Sequence, residues 1–96
     1  MNGPRGEVAI VIDGKSRRLC LTLGALAELE TVFGCQTLSD LQVRLKAMSA
    51  AELMSVVGIL LRAGGEEEVA ASLPVQTVSP LDAAKAVAEA FHAALG

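Results

Sequence analysis

The stretch from Thr22 to Gly34 carries both ends of a helix in its own residues, and the rest of the chain has to be built around it. Thr22 offers a hydroxyl that accepts from a free amide of the first turn. Gly34 takes the left-handed conformation that ends a helix without steric penalty. Between them Leu26, Leu29 and Phe33 recur at i, i+3 and i+7, the spacing of one buried face, while Glu28, Glu30 and Thr31 take the other side. Residues before this helix read as sheet and residues after it read as further helices. It is the joint of the fold.

Upstream, Val8-Ala9-Ile10-Val11-Ile12 is β-branched and apolar, Asp13-Gly14-Lys15-Ser16 is a turn signal, and Arg17-Arg18-Leu19-Cys20-Leu21-Thr22 alternates. The pattern is a β-hairpin spanning residues 7–22. Val8, Ile10 and Ile12 share one face of the first strand, and Leu19, Leu21 and Leu23 share one face of the second. The two sets meet on one side only if facing residue numbers sum to an odd value, as Ile10 with Leu19 would. A two-residue Gly14-Lys15 loop or a four-residue loop meets that condition. A hairpin alone is marginal in water, so its apolar side must pack on helices or on another chain. Ala9 and Val11 leave the opposite face partly apolar as well, and so are candidate partner-binding residues.

Downstream, residues 23–96 form a helical region of four or five short helices. Asp40 favours a helix start, and Leu38, Leu41 and Leu45 make its apolar stripe. Ser49-Ala50-Ala51-Glu52 is a capping box, opening a helix from Ala50 to about Ala63 that carries Leu53, Val56, Val57, Leu60 and Leu61 and stops at Gly64-Gly65. Gly58 inside it is costly for a helix and predicts close approach of a neighbouring element. Glu66-Glu67-Glu68 precede about two turns that end before Pro74, and residues 74–78 are a connector. Ser79-Pro80-Leu81-Asp82 starts the last helix, with serine as cap and proline at the first helical position. Leu81, Ala84, Ala88, Phe91 and Leu95 form its expected buried stripe, opposite Asp82, Lys85, Glu89 and His92, with Lys85 and Glu89 placed for an i,i+4 ion pair. The fold class is α+β, mostly α, in a single domain of residues 1–96.

Composition narrows the function. With 96 residues, no Trp or Tyr and only two Phe, the core must be aliphatic. No apolar run reaches the ~20 residues of a membrane span, and Met1–Gly6 lacks the apolar region of a secretory signal. The expected setting is cytoplasmic, with no membrane partner. Net charge is −3 and the basic residues are scattered, with only Arg17-Arg18 adjacent. Nucleic acid needs a concentrated basic surface, and no such surface is evident. Cys20 and Cys35 match no zinc or thioredoxin spacing and read as reduced small hydrophobes. His92, the only histidine, lies on a polar helix side without a nucleophile beside it. Glu28 and Glu30 are two apart on a helix and do not face each other. Neither Gly3-Pro4-Arg5-Gly6 nor Arg62-Ala63-Gly64-Gly65 matches a phosphate loop. No catalytic, cofactor-binding or metal-ligating residue is assigned, and the chain reads as no enzyme.

What remains is apolar surface. Met48, Met54, Val57 and Leu61 form either a soft partner-binding patch around the third helix or part of the core, and their spacing does not separate the two.

The run Arg5-Gly6-Glu7-Val8, Asp13-Gly14, Leu21-Thr22-Leu23-Gly24-Ala25-Leu26-Ala27-Glu28-Leu29-Glu30 and Phe33-Gly34 resembles the gene transfer agent family of phage tail proteins. Weaker likeness continues through Leu38-Ser39-Asp40-Leu41, Glu52-Leu53 and Leu60-Leu61-Arg62-Ala63-Gly64-Gly65. That family is grouped with phage tail assembly chaperones and is sometimes labelled a tail tube protein. The resemblance implies a tail-morphogenesis protein of a prophage or gene transfer agent in a bacterial host. The implied role is a chaperone that binds the helical tape-measure protein, alongside other tail proteins. A structural tail component and a small helical DNA-binding regulator are the alternatives. The exposed edge of the hairpin further predicts pairing between two copies.

Overall fold

The computed structural model describes residues 7–95. The Arg5-Gly6 end of the family resemblance and the reading of Gly3-Pro4-Arg5-Gly6 lie outside the described residues. Strand β1 (Glu7–Ile12) pairs antiparallel with β2 (Lys15–Cys20). Asp13 and Gly14 close the hairpin with φ of 52° and 78°, and two successive positive values define a type I′ turn, whose twist suits a two-residue loop. Facing pairs are Val8 with Leu19, Ile10 with Arg17 and Ile12 with Lys15. The odd-sum condition holds, but the loop is Asp13-Gly14 rather than Gly14-Lys15, because Asp13 itself takes the first left-handed position. Ile10 therefore faces Arg17 and not Leu19. Val8, Ile10, Ile12 and Leu19 share the face turned to the helices. Leu23, expected on the strand face, instead begins the next helix and is 83% exposed.

Helix α1 (Leu23–Phe33) has the expected ends. Thr22 Oγ1 accepts from the Ala25 amide at 3.0 Å. Gly34 has φ 67°, and the Cys35 amide reaches back to the Glu30 carbonyl at 2.9 Å, closing a Schellman motif. Leu26 and Leu29 are buried and Phe33 packs at the margin of the core. Helix α2 (Leu38–Leu45) is capped by Thr37, whose hydroxyl accepts from the Asp40 amide at 3.1 Å. It buries Leu41 fully and Leu45 partly, while Leu38 is exposed.

Helix α3 (Ala50–Ala63) opens on the full capping box: Glu52 N–H donates to Ser49 Oγ, and Ser49 N–H donates to Glu52 Oε1. Val56, Val57, Ile59, Leu60 and Leu61 are buried, making it the central helix, packed against β2, α1 and later helices. The close approach expected at Gly58 is absent, since a Cβ there would meet nothing within 4 Å. It occurs at Gly64, where a Cβ would lie 2.4 Å from the Arg18 carbonyl oxygen on β2. The glycine that the packing requires is thus the one just past the helix end.

Helix α4 is short (Glu67–Ala71) and leads into a 3₁₀ turn (Leu73–Val75) that includes Pro74, so the expected two-turn helix is split in two. Helix α5 (Pro80–Leu95) starts with Ser79 Oγ accepting from the Asp82 amide at 3.3 Å. Its buried residues are Ala83, Ala86, Val87 and Ala90. The expected stripe of Leu81, Ala84, Ala88, Phe91 and Leu95 is therefore not the buried one. The physical reason is size: alanines at i, i+3 and i+7 let the helix backbone approach β1 closely, and the larger residues are turned aside. Among the described residues Lys85 and Glu89 form no ion pair.

The result is a two-stranded sheet laid on a helical layer, with one contiguous aliphatic core and no buried charged or polar residue among those described. The tip of the hairpin is tied down by Asp13, whose amide donates to the Thr77 carbonyl at 3.0 Å while its Oδ1 accepts from the Thr77 amide at 2.6 Å.

Candidate partner-binding groove

Two features of the fold leave apolar or hydrogen-bonding surface open. The first is a groove of about 540 Å³ between α2 and α5, lined by Val43, Leu45, Met48, Ala84, Val87, Ala88 and Phe91, with Ser39, Gln42 and Lys46 at its polar side. Its origin lies in the packing of α5. Because the alanine face turns to the hairpin, most of the second apolar face of that helix is left exposed, with Phe91 alone of its stripe packing back against the core. Val43 on the α2 wall is 69% exposed, and the α5 stripe runs past the groove to Leu81, which is 77% exposed. From Leu81 to Leu95 the stripe extends about 21 Å.

Ion pairs outside the groove's lining tie together the helices of this region. Arg44 on α2 pairs with Glu52 on α3 and stacks over the Phe33 ring with its guanidinium 5.5 Å from the ring centre. The side-chain hydrogen bond from Arg44, helped by the Ser49 amide, lowers the Glu52 carboxyl below its ordinary value, and the same bond raises Arg44. One arginine thus joins the end of α1, the body of α2 and the start of α3. Arg62 and Glu28 make a second pair, between α3 and α1.

The second open feature is an edge of the sheet. The outer edge of β2 is closed: the Arg18 amide donates to Glu66 Oε2 at 3.1 Å, and Gly64 abuts the Arg18 carbonyl. Ala9 and Val11 of β1 face Arg18 and Ser16. These are non-hydrogen-bonded pairs, so the amides and carbonyls of Ala9 and Val11 point away from β2. Among the described residues they have no partner.

The residues singled out from sequence fall in separate places. Ala9 and Val11 are exposed on the outer side of β1. Val57 and Leu61 are buried in the core. Met48 is half-buried and lines the α2–α5 groove. Met54 is exposed and borders a smaller depression of about 180 Å³ with Leu53, Val57, Leu73 and Pro74. The four residues therefore do not make one patch around α3. Val43, Ala84, Ala88 and Phe91, the main walls of the larger groove, were assigned no surface role by periodicity. The available signal was a last helix with apolar residues at helical spacing on two faces.

Among the described residues no cluster of three or more His, Cys, Asp or Glu side chains is placed to hold a metal ion. Cys20 and Cys35 are free thiols, the first buried. No described helix is long and apolar enough to cross a membrane. No curated protein and no solved structure matches the chain. A family model does, across nearly the whole sequence at residues 5–96, and by that match the chain belongs to the family described as phage tail tube protein, GTA-gp10.

Proposed function

We propose that the protein is a non-enzymatic tail-assembly factor, acting in the cytoplasm of a bacterial host, that holds a helical segment of the tape-measure protein before the tail tube forms around it. The observation that carries this reading is the largely exposed apolar stripe of α5 running into the groove beside α2. A groove of that shape suits an amphipathic helix anchored at i, i+3, i+4 and i+7. A long helical chain awaiting its tube exposes such faces in quantity. Co-expression with the tape-measure protein tests the reading: its soluble fraction should rise and the two should co-purify. An unchanged soluble fraction without co-purification refutes it.

A second reading, a structural subunit of the tail, is favoured by the family's description and by the unpaired outer edge of β1. Mass spectrometry of purified particles separates the two. Stoichiometric presence of the chain supports the structural role, and its absence supports the assembly factor.

A further inference from the structure

We infer that the occupant of the α2–α5 groove is an amphipathic helix with large aliphatic residues along its seam and acidic residues on its flanks. This rests on the reading of the groove as a helix-docking site and adds the chemistry of what docks. Three observations lead to it. Leu81, Ala84, Ala88, Phe91 and Leu95 are spaced 3, 4, 3 and 4 apart, the a and d positions of a heptad seam. The middle of that seam is Ala84 and Ala88, flanked by Phe91 and by exposed Val43 across the groove. Small residues there leave room for large side chains from the partner, Leu rather than Ala.

Charge then selects the flanks. All four described arginines are engaged: Arg17 with Glu66, Arg18 with Glu7, Arg44 with Glu52 and Arg62 with Glu28. Among the described residues the cations without an ion-pair partner are Lys15, Lys46 and Lys85. Lys15 is at the hairpin turn, but Lys46 lines the α2 side of the groove. Lys85 takes the e position beside the α5 seam, with His92 at the next e position. Residues at e and g decide which partner a heptad seam accepts. The acidic residues of α5, Asp82 and Glu89, lie further round the helix and do not line the groove. The groove thus has an apolar floor with one unpaired ammonium, Lys46, in its lining and a second, Lys85, beside the α5 seam outside that lining.

A second copy of α5 fits poorly. Antiparallel pairing of two such helices sets alanine against alanine at the centre and Lys85 near His92 of the other copy, without an acid at either flank. The complementary surface belongs to a different sequence.

The test uses the full chain and two labelled 21-residue helical peptides that share Leu at a and d and differ only in carrying Glu or Lys at e and g. Fluorescence anisotropy at low salt should show the Glu peptide binding about tenfold tighter or more, with the advantage shrinking as salt rises. Ala88→Glu, at an exposed position, should abolish binding without moving the Tm. The double variant Lys46→Glu, Lys85→Glu should reverse the preference toward the Lys peptide. Equal affinity for the two peptides, preference of the native chain for the Lys peptide, or no binding of either overturns the inference. So does indifference to Ala88→Glu, or a dimer that Ala88→Glu dissociates. The two proposals fail separately. If the chain solubilises the tape-measure protein and Ala88→Glu still does so, the assembly role stands and the groove assignment falls. If charge-selective peptide binding comes without any effect on the tape-measure protein, the groove assignment stands and the assembly role falls.

Discussion

Two glycines at α3 should respond to the same substitution with opposite sign. Gly64 has φ −86°, open to any residue, so alanine there meets no backbone penalty. What it meets is β2. Its Cβ would lie 2.4 Å from the Arg18 carbonyl oxygen, 3.1 Å from the carbonyl carbon and 3.4 Å from the Leu60 carbonyl oxygen. All three are backbone atoms, which no rotamer change can move aside. Separating the strand from the helix end also strains the bond from the Arg18 amide to Glu66. Overpacking of this kind costs about 1–3 kcal/mol, and the smaller unfolded-state entropy of alanine returns about 0.4–1 kcal/mol. Gly64→Ala should therefore destabilise by about 1–2 kcal/mol, lowering the Tm of a chain this size by about 4–8 °C for each kcal/mol. Gly58 sits mid-helix with nothing within 4 Å of its would-be Cβ, so Gly58→Ala should stabilise by up to about 1 kcal/mol. Urea titrations at constant slope measure both. A Gly64→Ala variant as stable as the native chain, or a shift of both variants in one direction, would refute the assignment of Gly64 as the contact between sheet and helices.

Asp13 makes a similar split. Asp13→Asn keeps a carbonyl oxygen for the Thr77 amide and suits the positive φ, so it should stay within about 0.5 kcal/mol of the native chain. Asp13→Ala loses that acceptor at a left-handed position and should cost about 1–2 kcal/mol, read from the urea midpoint. Glu52 predicts an acid dependence. Its carboxyl is lowered in the fold, first by the Arg44 hydrogen bond, so its contribution is complete above its ordinary value of 4.5 and is lost as pH falls through the lower folded value. The stability gap between the native chain and Glu52→Gln should narrow in urea titrations taken at pH 7 and then at about pH 3; a constant gap would contradict the pairing. At the sheet edge, sedimentation should show concentration-dependent association of the native chain and its loss in Val11→Lys, since an edge lysine blocks strand pairing. A native chain that stays monomeric removes β1 as a pairing surface.

The parts of this fold legible in sequence are those decided within one turn of backbone. Thr22, Ser49 and Ser79 mark helix starts because their side-chain oxygens accept from amides three residues on, and Gly34 marks a helix end through its own left-handed φ. The parity of the strands follows from their alternation, whereas the loop sits one residue earlier than the Gly14-Lys15 reading, because Asp13 takes a left-handed position that its residue type alone did not require. The choices that went elsewhere depend on atoms far along the chain. Which glycine touches a neighbour depends on where β2 crosses α3, forty-six residues from Arg18 to Gly64. Val57 and Leu61 are core, and Met54 surface, because of how α3 is rotated under the hairpin, not because of their residue type.

The last helix shows why a groove of this kind escapes periodicity. Both Ala83-Ala86-Val87-Ala90 and Leu81-Ala84-Ala88-Phe91-Leu95 recur at helical spacing, and a search for one buried stripe favours the set with the larger side chains. Burial within the chain followed the other criterion, closeness of approach, because a two-stranded sheet gives α5 little to bury large residues against unless the backbones come near. That leaves Leu81 and Leu95 exposed and Phe91 only half-buried at the margin of the core. Exposed singly they need no explanation. Aligned over about 21 Å beside Val43 and a half-buried Met48, they form one continuous apolar surface, the kind that marks a protein contact. In a tail family whose members work among other tail proteins, the face that the fold leaves uncovered is the face to mutate first.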